Sequence, residues 1–76
     1  MSTEEKIKNI MAEILGVNTS EITEDSAIGD LPSWDSLNHL RIITAIEKEF
    51  NIQFTPDVLM DMEDFGDLVK ATSERL

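Results

Sequence analysis

Few side chains in this sequence have the types and spacing for covalent chemistry. Ser36 and His39 stand three residues apart, and Asp35 directly precedes the serine. On a helix that separation is close to one turn, so hydroxyl and imidazole would share a side. A nucleophile–base pair also needs the base within reach of the hydroxyl and a third group to orient it. His39, however, falls on the same stripe as Ile42, Ile43 and Ile46, and a chain of 76 residues offers little cleft to hold a substrate. His39 therefore reads as a packing residue, and no catalytic residue is expected.

Metal chemistry fares no better. Asp61, Glu63, Asp64 and Asp67 crowd around Gly66. Counted from Asp61 as a calcium loop, the fifth position is Phe65 and the twelfth is Thr72, where oxygen ligands and a bidentate glutamate are required. The cluster reads as a solvated acidic corner and no metal site is expected. The chain has no cysteine, which removes thiol nucleophiles, thiolate metal sites and disulfides.

Ser36 has a different opportunity. At the mouth of a helix its hydroxyl would be exposed beside the positive end of the dipole, where free N–H groups favour an anion such as a phosphate ester. An ordinary first-turn or capping serine fits the same position, and on these grounds alone it is the stronger reading.

The whole chain limits what partners are open to it. Sixteen Asp and Glu against six Lys and Arg give a net charge of −10, which repels nucleic-acid backbones and anionic lipid. No apolar run approaches the ~20 residues that span a bilayer, and the acidic start Met1-Ser2-Thr3-Glu4-Glu5 is unlike a signal peptide. A cytoplasmic, monomeric protein with neither nucleic acid nor membrane as partner is expected. Such a surface suits basic patches on other proteins, met in fast, salt-sensitive encounters. At this length the chain forms one domain over residues 1–76, and folding buries only about 60–65% of the surface of the unfolded chain.

Four helices are needed to position Ser36. The first runs from Glu4 to Leu15, with Ile7, Ile10, Met11, Ile14 and Leu15 as one stripe, a Ser2/Glu5 capping box and Gly16 as its stop. A long connection, Val17 to Asp35, is rich in turn formers, with Val17, Ile22, Ile28 and Leu31 as anchors and a short helical turn starting at Ser20. The second helix runs from Ser36 to Phe50, capped by Asp35. His39, Ile42, Ile43, Ile46 and Phe50 face the core, Leu37, Arg41 and Thr44 face away, and Glu47, Lys48 and Glu49 form a solvated end. Thr55-Pro56 opens a short third helix to Asp61. Asp64 caps the last, Phe65 to Arg75, which packs through Phe65, Leu68, Val69 and Thr72. No strand pattern, repeat or low-complexity stretch interrupts this. The expected fold is all-α: three main helices and one short one, with a long loop between the first two.

Asp35-Ser36-Leu37, followed by Asn38-His39-Leu40-Arg41-Ile42-Ile43-Thr44-Ala45-Ile46-Glu47-Lys48-Glu49-Phe50, resembles the signature of the acyl carrier proteins. The resemblance covers nearly the whole chain: its length, its acidity, a first helix ending near Gly16-Val17, the long loop, the D-S-L serine and the short third helix. It implies that a phosphopantetheinyl transferase, using coenzyme A and magnesium, attaches 4′-phosphopantetheine to Ser36 within the motif Asp35–Leu37. Acyl groups then travel as thioesters on that arm, which also brings the thiol that the chain lacks. The implied partners are acyl-activating, acyl-transferring or condensing enzymes with basic patches, and the partner-facing residues are Trp34, Leu37, Asn38, Arg41 and Glu47.

The sequence departs from the pattern of fatty-acid carriers. Trp34 replaces a small residue before the motif, where it either pins the loop or shapes a contact surface. Asn38 and Arg41 stand where fatty-acid carriers are often acidic. These changes favour a carrier of a dedicated polyketide, lipid or sugar-modification pathway over one for general fatty acid biosynthesis. Two alternatives stay open: an aminoacyl or peptidyl carrier, although the usual G-G-x-S pattern is absent, and an acidic protein-interaction module whose Ser36 is never loaded.

Overall fold

Ser2 opens the first helix, α1 (Thr3–Leu15), in a computed structural model that describes residues 2–76. The Ser2 hydroxyl accepts the Glu5 N–H at 3.2 Å, and Glu4 and Glu5 stand at the positive end of the dipole. Gly16 ends the helix in the left-handed conformation (φ 68°), which costs a residue without a Cβ little. Helix α2 spans Ser36–Phe50, α3 Pro56–Asp61 and α4 Phe65–Ser73. The all-α fold and the bounds of α2 and α3 are as expected. Among the described residues, no helix is long and apolar enough to cross a membrane.

Three local readings need correction. The short turn is a 3₁₀ turn at Thr19–Glu21, one residue early, because Asn18 starts it: the Asn18 N–H donates to the Glu21 carboxylate at 2.9 Å. Helix α4 stops at Ser73 instead of Arg75, where the chain tightens and the Arg75 N–H donates to the Thr72 carbonyl. The Arg75 guanidinium folds back to the carbonyls of Gln53 and Ala71. Third, Ile28 is 39% exposed and anchors nothing through its side chain. Its backbone does the anchoring. The Ile28 N–H donates to the Glu63 carbonyl, the Phe65 N–H to the Ser26 carbonyl and the Gly66 N–H to the Glu24 carbonyl. These bonds tie the long loop to the link between α3 and α4, with Ala27 and Asp64 forming an isolated bridge.

Helix α1 packs against both α2 and α4. Ile7, Met11 and Leu15 share one core with Ile42, Ile43 and Ile46 of α2 and with Phe54, Met62, Phe65 and Leu68. Ile22 is the loop's buried aliphatic anchor, and Val17 and Leu31 pack half-buried against the core.

The largest fully buried side chain comes from the loop. Trp34 is 1% exposed, which contributes roughly 3 kcal/mol or more of gross transfer free energy. Its Nε1–H donates to His39 Nδ1 at 3.1 Å, and the two rings stack with centroids 6.0 Å apart. An Nδ1 that accepts places the proton of the neutral ring on Nε2. Nε2 is itself buried without a hydrogen-bond partner. Burial disfavours the imidazolium and lowers the His39 pKa from its ordinary 6.5, while the Met62 backbone opposes the shift weakly.

Two outcomes follow from this packing. Ile46 is fully buried, so Ile46→Ala should cost about 2–4 kcal/mol. A thermal melt should show a drop of roughly 10 °C or more, and an unchanged melting point would show that the site collapses without a cavity. His39 gives a pH dependence. Its folded pKa lies below its unfolded one, so the unfolded chain binds the extra proton first. Stability is then full above the unfolded value and falls as pH drops through about 6.5 toward the folded value. Urea midpoints read by Trp34 fluorescence should fall between about pH 7.5 and 5.5, above the range where carboxylates titrate. His39→Gln should flatten that slope; equal slopes in the two proteins would remove the histidine from the account.

Candidate functional site

The segment Ser33–His39 is built by bonds that each use a side chain of the right reach. The Ser33 hydroxyl donates to the Leu15 carbonyl at 2.8 Å, joining the loop's end to the last turn of α1. The Trp34 carbonyl accepts the Gly29 N–H at 2.9 Å, and Gly29 (φ 93°) has the backbone freedom that this turn requires. Asp35 then caps α2 from extended backbone: its Oδ1 accepts the Asn38 N–H at 2.9 Å and its carbonyl accepts the His39 N–H at 2.8 Å. The Asn38 side-chain amide donates back to the Ser33 carbonyl at 2.7 Å.

Ser36 is the first residue of α2 and is exposed. The N–H groups of Ser36 and Leu37 have no acceptor within the helix, as first-turn donors never do. The hydroxyl is thus a free handle on a rigid helix end, beside the positive pole of a 15-residue helix. A phosphodiester joined there would lie where N–H groups and dipole favour negative charge. The Asp35 carboxylate next to it is already committed to the Asn38 N–H. The residues present therefore fit a covalent phosphate-linked group. His39 is separated from this handle. It points into the core and its Nδ1 is occupied by Trp34, so the Ser36/His39 pair does not form.

The expected partner-facing residues divide into two sets. Leu37 and Arg41 are exposed on α2. Trp34 is not a surface residue: its ring lies in the core against His39, and it pins the loop. Asn38 is half-buried with its amide turned to Ser33. Glu47 is also half-buried, and its carboxylate accepts the Phe54 N–H at 2.9 Å, holding the turn after α2. The "solvated end" of α2 is therefore partly a structural joint. Two exposed residues on the same face were not among the expected partner-facing ones: Leu40, unassigned in the sequence, and Lys48, read there as part of the solvated end. They stand three residues from Leu37 and seven from Arg41, spacings that place them on one side of a helix. Together with Thr44 and Ala45 these residues line a shallow, mostly apolar groove.

The acidic corner is occupied with its own backbone. Asp64 Oδ1 accepts the Asp67 N–H at 2.8 Å, and Asp67 Oδ2 accepts the Glu63 N–H at 3.1 Å. Among the described residues, no group of three or more His, Asp or Glu side chains is arranged to hold a metal ion.

Solved acyl carrier proteins share this architecture. The solution structure of a holo acyl carrier protein from Geobacter metallireducens matches with a TM-score of 0.86 at 24% identity, over 99% of this chain and 86% of that one. At that identity the likeness speaks for the fold alone. A holo acyl carrier protein from Nitrosomonas europaea matches with a TM-score of 0.73 at 28% identity, over 97% of this chain and 94% of that one. The family model for the phosphopantetheine attachment site matches residues 5–72. Proteins of this family work with phosphopantetheinyl transferases and acyl-handling enzymes and do no chemistry of their own. By fold and by family match, the chain belongs to the acyl carrier protein family, carriers whose cofactor is a covalently attached 4′-phosphopantetheine.

Proposed function

We propose that Ser36 is the attachment residue and that the chain presents acyl groups to the enzymes of a dedicated pathway. The observation that carries this reading is the setting of Ser36: an exposed hydroxyl, first in α2, inside the Asp35-Ser36-Leu37 motif, on a segment fixed from both sides. When bound, 4′-phosphopantetheine supplies a thiol at the end of a long arm, on which an acyl group is held as a thioester. The chain's own residues provide the seat. Asp35 and Asn38 set the angle at which α2 leaves the loop, and Trp34 holds that loop to the core, so Ser36 keeps one position relative to the rest of the surface. Exposure of Ser36 gives a transferase access to the hydroxyl without unfolding.

A dedicated role is supported by the face around that serine. A carrier that meets its partners through carboxylates on α2 would present them there. In this chain that face exposes Leu37, Leu40, Arg41, Thr44 and Lys48, the exposed Glu49 lines a groove with Lys6 and Glu13 of α1, and the amide of Asn38 is spent on the loop. Polyketide, lipid and sugar-modification pathways are the dedicated pathways this reading covers.

Intact mass decides the attachment. The pure protein, incubated with coenzyme A, magnesium and a promiscuous phosphopantetheinyl transferase, should gain one phosphopantetheine, and Ser36→Ala should gain none. A folded wild type that stays unmodified, also with the transferase of its own source, would make the chain an acidic interaction module instead. Leu37→Ala should separate partner engagement from folding. Leu37 is 59% exposed, so stability should change by no more than about 0.5 kcal/mol, while turnover by a cognate acyl-handling enzyme falls. Unfolding of that variant would place Leu37 in the core.

A further inference from the structure

We infer that the exposed face of α2 docks a partner protein through an apolar ridge flanked by carboxylates, so that the surface beside Ser36 reads charge of the opposite sign from the rest of the molecule. This rests on the carrier reading and refines its partner, because the sequence alone suggested basic patches. The argument begins with where the cations are. The chain has six: Lys6, Lys8, Arg41, Lys48, Lys70 and Arg75. Three lie over aromatic rings, Lys6 over Phe50 at 5.7 Å, Lys8 over Phe65 at 5.5 Å and Arg75 over Phe54 at 5.3 Å. Lys70 lines a groove that it shares with Glu4 and Glu24.

Arg41 and Lys48 are different. They line one groove with Leu37, Leu40, Thr44 and Ala45, and no carboxylate lines it; Lys48 also borders a neighbouring groove with Glu47, whose carboxylate is held by the Phe54 N–H. Leu37 and Leu40 are 59% and 58% exposed there. The acids of the same helix and its cap are turned elsewhere: Asp35 to the Asn38 N–H, Glu47 to the Phe54 N–H, and Glu49 to a groove against α1 with Lys6 and Glu13. Arg41 and Lys48 are seven residues apart, about two turns or ~10 Å along the helix. At about 0.15 M salt charge is screened beyond ~8 Å, so a partner on this face meets the two local cations more than the distant net charge of −10. An apolar strip with two cations and no acid complements leucine-like side chains bordered by Asp or Glu, and it repels a basic patch at contact range.

The test uses the full chain, labelled with ¹⁵N, and two synthetic amphipathic helices with the same Leu/Ala stripe, one flanked by Glu and one by Lys. At about 0.15 M salt the Glu-flanked helix should shift the amide resonances of Leu37, Leu40, Arg41, Thr44, Ala45 and Lys48. The R41E/K48E double variant should weaken that binding by about tenfold or more, and Arg41→Lys should retain it. If the double variant lowers the melting point, Arg41→Gln decides instead: a smaller loss is expected, and no loss overturns the assignment. The assignment also falls if the Glu-flanked helix leaves these amides unmoved, or if the Lys-flanked helix takes the same face. Loading of Ser36, read by mass on the same samples, keeps the two readings apart. Loading without a peptide response removes the docking assignment alone, and a peptide response without loading removes the carrier reading alone.

Discussion

The bond from the Trp34 indole to the His39 imidazole is the constraint on which the site depends. It joins the last stretch of a long loop to the first full turn of α2, five residues further on. A loop of this length would ordinarily have many arrangements of its end, and each would give α2 a different start. Burying an indole removes most of them. The hydrogen bond adds only about 1 kcal/mol net, but it requires one ring orientation and one imidazole tautomer. The Ser33, Asp35 and Asn38 bonds then follow with little further loss of freedom, since their partners are already in place. Four short contacts between residues 15 and 39 thus set the geometry of one hydroxyl.

That arrangement explains why residues near the serine are unequal. Total stability in a domain of this kind is only about 5–15 kcal/mol, so the segment that fixes Ser36 cannot also be free to adapt to visitors. Trp34, Asn38 and Glu47 are committed to the scaffold. Leu37, Leu40, Arg41 and Lys48 make no such commitments, and they lie within a few turns of the same helix. The division of labour follows the helical period: one side of α2 is buried isoleucine and histidine, the other side is exposed.

Much of this was legible in the sequence, where it depends on local rules. The bounds of α2 follow from Asp35 and from the spacing of His39, Ile42, Ile43 and Ile46. The start of α3 follows from Thr55-Pro56, and the end of α1 from Gly16. What stayed hidden depends on partners distant in sequence. An indole among turn formers can face inward or outward, and only the imidazole across from it decides. Ile28 is apolar by type, yet the loop is held there by its backbone against Glu63, 35 positions away, so its side chain is not needed. Glu47 looked like one of three solvated charges until the chain returned Phe54 to it. Ser36, by contrast, stood out as a candidate because its surroundings form a motif. Physical reasoning on Ser36 alone favoured an ordinary helix start.

A carrier of the proposed kind has two requirements that pull against each other. Its cargo must sweep a wide volume to enter several enzymes, yet each enzyme must find the cargo at high effective concentration. A flexible arm meets the first only if its root is immobile, because motion at the root adds disorder without adding reach. Placing the root at the first residue of a packed helix answers this: the residue before it is a cap, the one before that is the core's tryptophan, and the hydroxyl still faces water. A mid-helix serine would be as rigid, but its hydroxyl would meet the carbonyl one turn back or a neighbouring side chain in place of unpaired N–H groups. A loop serine would face free N–H groups without the rigidity. The start of α2 combines the two, and the same helix then supplies the surface by which a partner recognises where the arm begins.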